Sequence, residues 1–124
     1  MKSLIAFLIL IFFSLTGTTQ TYLDSILKTE KYNNIEYYTD TEIIHYVENI
    51  NIYGKRHGKC YSFSRDGQLL SKAEFKRGKK HGEWSVYNGK GNLMAVFYYH
   101  KGSRTGHWKS FSDSGELIAE RIYK

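Results

Sequence analysis

No proline occurs in the 124 residues, and cysteine occurs once, at Cys60. Without proline, nothing in the chain removes a donor from a strand ladder. One thiol excludes an internal disulfide and leaves either a buried, inert side chain or an intermolecular bond. Cys60 stands on a strand beside aromatic residues, where burial is expected. Enzyme signatures are missing too: there is no HExxH, GxSxG, P-loop or CxxC motif, and no histidine at a spacing that would activate Cys60. The carboxylates Glu74, Glu83, Asp113, Glu116 and Glu120 are scattered over turn and solvent-facing strand positions, unlike the facing pair of a glycosidase. Catalysis is not expected, no cofactor is implied, and no small-molecule substrate is indicated.

Long apolar runs are scarce. Residues 4–15 form one, after a basic start at Lys2 and before the small polar stretch Thr16-Gly17-Thr18-Thr19. That order is the n-, h- and c-region order of a secretory signal. It predicts a signal peptide over residues 1–19, cleavage before Gln20, and a periplasmic or extracellular location. The run is shorter than the roughly 20 apolar residues of a spanning helix; left uncleaved, it would still serve as an N-terminal anchor. No cysteine ends it, so lipid attachment there is excluded.

Negative charge is in excess only ahead of residue 54. Residues 20–53 carry two Lys against six Asp and Glu, a net of −4; residues 54–124 carry fifteen Lys and Arg against six, a net of +9. An acidic leader and a basic body either contact each other or leave the body free to meet an anionic surface.

What the chain does have is glycine on a lattice of 24 residues. Gly54, Gly78 and Gly102 form one set, Gly58, Gly82 and Gly106 a second, and Gly67, Gly91 and Gly115 a third. Phe63, Tyr87 and Phe111 keep the same step, as do Leu69, Leu93 and Leu117, and Phe75, Tyr99 and Tyr123. Self-similarity at such a period declares a repeat architecture. Each unit reads as a β-hairpin, with alternating strands either side of turns such as Arg65-Asp66-Gly67, where glycine supplies positive φ. A three-residue loop sets Phe63 opposite Leu69, Tyr87 opposite Leu93 and Phe111 opposite Leu117, an aromatic and leucine ladder on one face. Most aromatic residues are expected on that packed face. The segments 54–58, 78–82 and 102–106, Gly-x-x-x-Gly, read as tight connections with three exposed polar residues each. The fold expected is all-β: an antiparallel meander of three hairpins in a single elongated sheet over residues 54–124.

Residues 20–53 read as an atypical N-terminal cap. Leu23, Ile26 and Leu27 have helical spacing within 22–31, and residues 35–39 and 42–53 look like strands. They enter the glycine register only with a shift. The second strand is expected to pair with the first repeat, because an open edge invites aggregation, with the helix covering the cap or one face.

The units GKRHGKCYSFSRDGQL, GKKHGEWSVYNGKGNL and GSRTGHWKSFSDSGEL resemble the MORN repeat variant, in their Gly-x-x-x-Gly-x-Trp core followed by an aromatic residue and a turn glycine. Trp84 and Trp108 carry that core; Cys60 replaces the first Trp, and Ser103 and Thr105 replace a basic residue and a histidine. The resemblance implies a sheet-forming interaction module, as in many exported or lipid-attached bacterial proteins, and carries over no catalytic residue. Some bacterial proteins with these repeats are labelled antitoxins, which leaves an antitoxin-like binding role as an alternative.

The candidate binding stripe is Lys55, Arg56, His57, Lys79, Lys80, His81 and Arg104, expected along one edge of the sheet. Such a stripe would attract a protein or envelope component, or anionic lipid head groups; edge lysines also keep a sheet soluble and unpaired. Nucleic acid is the weakest partner, since no stacking motif accompanies the charge. His57 and His81 read as solvated loop side chains and not as a metal pair. Equivalent residues two strands apart are about 9–10 Å from each other, too far to share one zinc ion.

Overall fold

The structure, a computed structural model, describes residues 18–124. Apart from Thr18 and Thr19, the expected signal segment lies outside the described residues. A helix, α1 (Thr18–Thr29), precedes nine strands: β1 (Asn34–Tyr37), β2 (Ile44–Glu48), β3 (Gly58–Phe63), β4 (Leu69–Lys76), β5 (Lys79–Lys80), β6 (Gly82–Tyr87), β7 (Leu93–His100), β8 (Ser103–Phe111) and β9 (Leu117–Tyr123). They form one antiparallel sheet in the order β1-β2-β3-β4-β6-β7-β8-β9, with the short β5 beside β4. The three hairpins of the meander are β3–β4, β6–β7 and β8–β9. α1 begins and ends somewhat earlier than the expected 22–31.

Each hairpin closes in the same way. Ser64 donates its backbone N–H to the Gln68 carbonyl and receives one from Gly67, and residues 88–92 and 112–116 repeat both bonds. Phe63 pairs with Leu69, Tyr87 with Leu93 and Phe111 with Leu117, as the three-residue loop requires. Just before each turn the register shifts, leaving Leu70, Met94 and Ile118 as the extra residue of a bulge.

The links between hairpins differ from the expected three-residue loops. The turns are two residues long, Arg77-Gly78 and Lys101-Gly102, with φ of 51° and 83°, and 48° and 89°. Positive φ at both central positions is the type I′ geometry that fits strand twist. The polar residues that follow continue the sheet: Lys79 pairs with Lys76, Lys80 with Phe75 and Arg104 with Tyr99. Gly82 and Gly106, with φ of 69° and 70°, then sit at the break between this short pairing and the main strand. A Cβ at Gly106 would lie 3.2 Å from that of Tyr98.

The leader enters the sheet one residue out of step with the lattice. Val47 pairs with Tyr61, whereas 24 residues on Ser85 pairs with Lys72 and not with Ser71. The cause is the turn at residues 51–55. Asn51 donates to the Lys55 carbonyl and Gly54 to Asn51, the three-residue pattern of the hairpin turns. Positive φ there falls on Gly54 (74°) and not on Tyr53, since a bulky aromatic residue adopts that region poorly. A one-residue offset reverses the faces of a strand. It turns Val47 towards α1, where it is 0% exposed.

The buried core sits at this end of the sheet and comprises Leu23 and Ile26 of α1 with Val47, Tyr61 and Phe63, flanked by Leu27, Tyr32, Ile44 and Leu69. It covers only the first rung of the aromatic–leucine ladder. Phe63 is 1% exposed, Tyr87 and Phe111 are half-buried, and Leu117 on the outer strand is exposed. Ile118 and Ile122 are also exposed on β9, the edge opposite the cap.

Candidate binding surface

The bulges split the aromatic residues between the two faces. Six residues apart, Leu69 and Phe75 would share a face in a regular strand; the bulge at Leu70 reverses the alternation and sends Phe75 to the other side. Met94 and Ile118 do the same for Tyr99 and Tyr123. The expectation that most aromatic residues share the packed face is therefore corrected. On the side away from α1, Phe75, Trp84, Tyr99, Trp108 and Tyr123 form a continuous row of rings, with centroids 5.1, 5.4, 5.2 and 4.8 Å apart in that order. Their edge and tilted geometries suit the ring quadrupole. Phe97 joins the row 4.8 Å from Trp108. Among the described residues, no helix and no second sheet packs over this row.

Two indole bonds hold the row in place. Trp84 Nε1 donates to the Glu74 carbonyl and Trp108 Nε1 to the Tyr98 carbonyl, both at 3.0 Å. Each indole is thereby fixed against the neighbouring hairpin, with its polar atom satisfied and its face turned to the row.

Three cations of the stripe lie on these rings at the 24-residue step. Arg56 is over Tyr46 and Phe75, at 5.6 and 5.1 Å; Lys80 is over Trp84 and Tyr99, at 4.8 and 5.1 Å; Arg104 is over Trp108 and Tyr123, at 5.2 and 5.8 Å. Cation–π contacts of this kind contribute about 0.5–1 kcal/mol at exposed sites, enough to bias the side chains towards the rings. Arg56 differs from the other two because the acidic leader reaches it. Its Nε lies 2.8 Å from Glu48 Oε2, and Glu48 is buried. Asn34 Nδ2 and the Tyr46 hydroxyl donate to the same carboxylate. Among the described residues no carboxylate pairs with Lys80 or Arg104, so the outward positive charge concentrates on the second and third units.

The rest of the stripe is placed elsewhere. The stems of Lys55 and Lys79 run beside Gly78 and Gly102 of the following turns. His57 and His81 are more than solvated loop residues. His57 Nδ1 accepts the backbone N–H of Arg77 at 3.2 Å, and His81 Nδ1 that of Lys101 at 3.3 Å. Each histidine thus holds the left-handed residue of the next I′ turn, a role legible only once the turn itself is known. Among the described residues, no group of three or more His, Cys, Asp or Glu side chains is placed to hold a metal ion.

In the first unit the indole position belongs to Cys60, which is 3% exposed. Burial raises its pKa above the ordinary 9.0, against an opposing hydrogen bond with Tyr46 and the charge of Arg56. The phenols of Tyr46 and Tyr32 are likewise pushed up, burial first and neighbouring groups second. The thiol is therefore protonated and enclosed, a poor nucleophile.

The family model for the MORN repeat variant matches residues 56–77 and 104–124. The unit between them has the same hairpin register and turns as both, and shares with the third a cation over an indole and a tyrosine. No curated protein and no solved structure matches the chain. MORN repeats generally serve as protein- or membrane-binding modules. Two of the three hairpin units are thus similar in sequence to the MORN repeat variant.

Proposed function

We propose that the protein is a non-catalytic, exported binding module that holds a protein or another component of the cell envelope on its ring-and-cation face. One observation carries the reading: Lys80 and Arg104, at equivalent places two strands apart, are each seated on an indole and a tyrosine with no carboxylate partner among the described residues. Side chains already biased towards one orientation lose less entropy on binding than free ones. A flat aromatic row with fixed cations recognises an acidic partner surface without any reacting group. Export rests on the order of charge and hydropathy in residues 1–19. The test is recovery of partners from envelope fractions by the wild-type chain and by the Lys80→Gln/Arg104→Gln variant. The variant is expected to lose what the wild type recovers at low salt; equal recovery would sink the proposal.

A second reading is peripheral attachment to anionic lipid through the same face. It is favoured by the even spacing of the cations, two strands or about 9.4–9.8 Å, and by the net of +9 over residues 54–124. Basic side chains near such a membrane contribute about 1 kcal/mol each. Flotation with neutral and with anionic vesicles separates the two readings, since only lipid attachment requires the anionic vesicle alone.

A further inference from the structure

We propose that the segment held on the ring-and-cation face is an acidic polyproline II stretch of a partner protein, with a carboxylate at every third residue. The proposal rests on the reading of that face as a binding surface for an acidic protein partner. It starts from a period. Lys80 lies over Trp84 and Tyr99, and Arg104 over Trp108 and Tyr123, at equivalent places of adjacent hairpins. Equivalent places are two strands apart, about 9.4–9.8 Å. The two cations therefore repeat at that distance across the strands, along the row of rings.

Regular backbones match this distance in few ways. In an extended strand, residues on one face recur at about 6.4–6.8 Å or twice that. In an α-helix, six residues rise about 9 Å but end facing away, and seven rise about 10.5 Å and overshoot. One turn of polyproline II takes three residues, rises about 9.3 Å and returns to the same face. Carboxylates at i and i+3 of such a segment meet Lys80 and Arg104 together, while the prolines between them lie on the rings. Aromatic-lined surfaces suit this conformation because it is preformed and loses little entropy on docking.

Beyond the cap, the charge on this face has one sign. Arg121, opposite Trp108, lies over the Tyr123 ring at 5.1 Å and adds a further cation. Among the described residues of β4 to β9, the carboxylates are elsewhere. Glu74, Glu83 and Glu120 each adjoin a ring-face residue in their strand, Phe75, Trp84 and Arg121, and so point to the other face. Asp113 and Glu116 belong to the last hairpin turn. At the capped end Glu48 already pairs with Arg56 at 2.8 Å. One acid pair, at i and i+3, is thus the complement of the site.

The chain has two tryptophans, Trp84 and Trp108, and both lie in the row, so their fluorescence reports this face. Three proline-rich peptides are titrated at low salt, each with two Glu, placed at i and i+2, i and i+3, or i and i+4. Circular dichroism verifies polyproline II in all three. A fourth peptide carries the i, i+3 pair in a flexible glycine-serine host. The proline-rich i, i+3 peptide is expected to bind several-fold more tightly than the other three. Lys80→Gln/Arg104→Gln should abolish the preference, and Lys55→Gln/Lys79→Gln, which removes the same charge elsewhere, should keep it. Absence of binding by the proline-rich i, i+3 peptide would overturn the proposal. So would equal binding at all three spacings, or a glycine-serine peptide that binds as tightly. Equal binding at all spacings that is lost in Lys80→Gln/Arg104→Gln would overturn this inference alone and leave the acidic-partner reading standing. Recovery of the same envelope partners by the wild type and by that variant would remove both.

Discussion

Trp84 Nε1 bonds the carbonyl of Glu74, ten residues earlier, and Trp108 repeats the bond to Tyr98. By the same step the acceptor in the first unit would be Ile50, ten residues before Cys60. That carbonyl already has a side-chain donor: Asn33 Nδ2 donates to it at 2.7 Å, and Asn33 Oδ1 accepts the Ile50 N–H at 2.8 Å. The leader thus supplies from outside the repeat the bond that an indole supplies within it. Cys60→Trp is expected to destabilise the fold by about 1–3 kcal/mol through overpacking, and Asn33→Ala should lessen that added cost. Urea unfolding measures both. Wild-type stability in Cys60→Trp would mean that the first unit keeps an open indole site.

Burial along the ladder is graded, so truncation should be graded too. Phe63→Ala, under α1, is expected to cost about 3–5 kcal/mol. Tyr87→Ala and Phe111→Ala, on half-buried sites, should each cost clearly less. Equal losses at all three positions in denaturant titrations would contradict a core confined to the capped end.

Arg77 and Lys101 adopt positive φ at the first central position of their turns, a conformation costing L residues about 1–2 kcal/mol and asparagine less. Lys101→Asn should therefore raise stability by about 0.5–1 kcal/mol. His81→Ala, which removes the acceptor for the Lys101 N–H, should lower it by about 0.5–1.5 kcal/mol. Thermal melts of the two variants should move in opposite directions. A shift of the same sign in both would show that the turn geometry is wrong.

The buried thiol and two half-buried phenols set the alkaline limit. Cys60, Tyr32 and Tyr46 titrate above their ordinary values of 9.0, 10.0 and 10.0 because the fold favours their neutral forms. Their contribution is complete below those values and is lost as pH rises past them. Stability should be level up to the thiol's ordinary value and fall beyond it. In Cys60→Ala the fall should begin later, with the phenols. A midpoint unchanged across both values would show that these groups are not buried.

Hairpins, turn glycines and cross-strand pairs were legible in the sequence because each is a local rule repeated three times. Gly67 admits the positive φ that its turn requires, and Phe63 faces Leu69 once the loop length is known. The split of Phe63 from Phe75 was hidden by Leu70, a bulge residue chemically indistinguishable from any strand leucine. The need for a shift in the leader could be read from its missing glycines. Its size, one residue, depends on Tyr53 refusing a left-handed position that Arg77 and Lys101 accept. Of the stripe, Arg56, Lys80 and Arg104 share a face because their strand pairing places them there. Lys55, Lys79, His57 and His81 serve the turns, which only the folded links reveal.

The most direct measurement compares the binding of three proteins to envelope fractions over a range of salt: the wild type, Lys80→Gln/Arg104→Gln, and Lys55→Gln/Lys79→Gln. The two double variants remove the same charge, one from the aromatic rings and one from beside the turn glycines. Binding is expected to be lost in the first and largely kept in the second. Equal weakening would reduce the stripe to bulk charge, and loss only in the second would place the interface away from the ring-and-cation face.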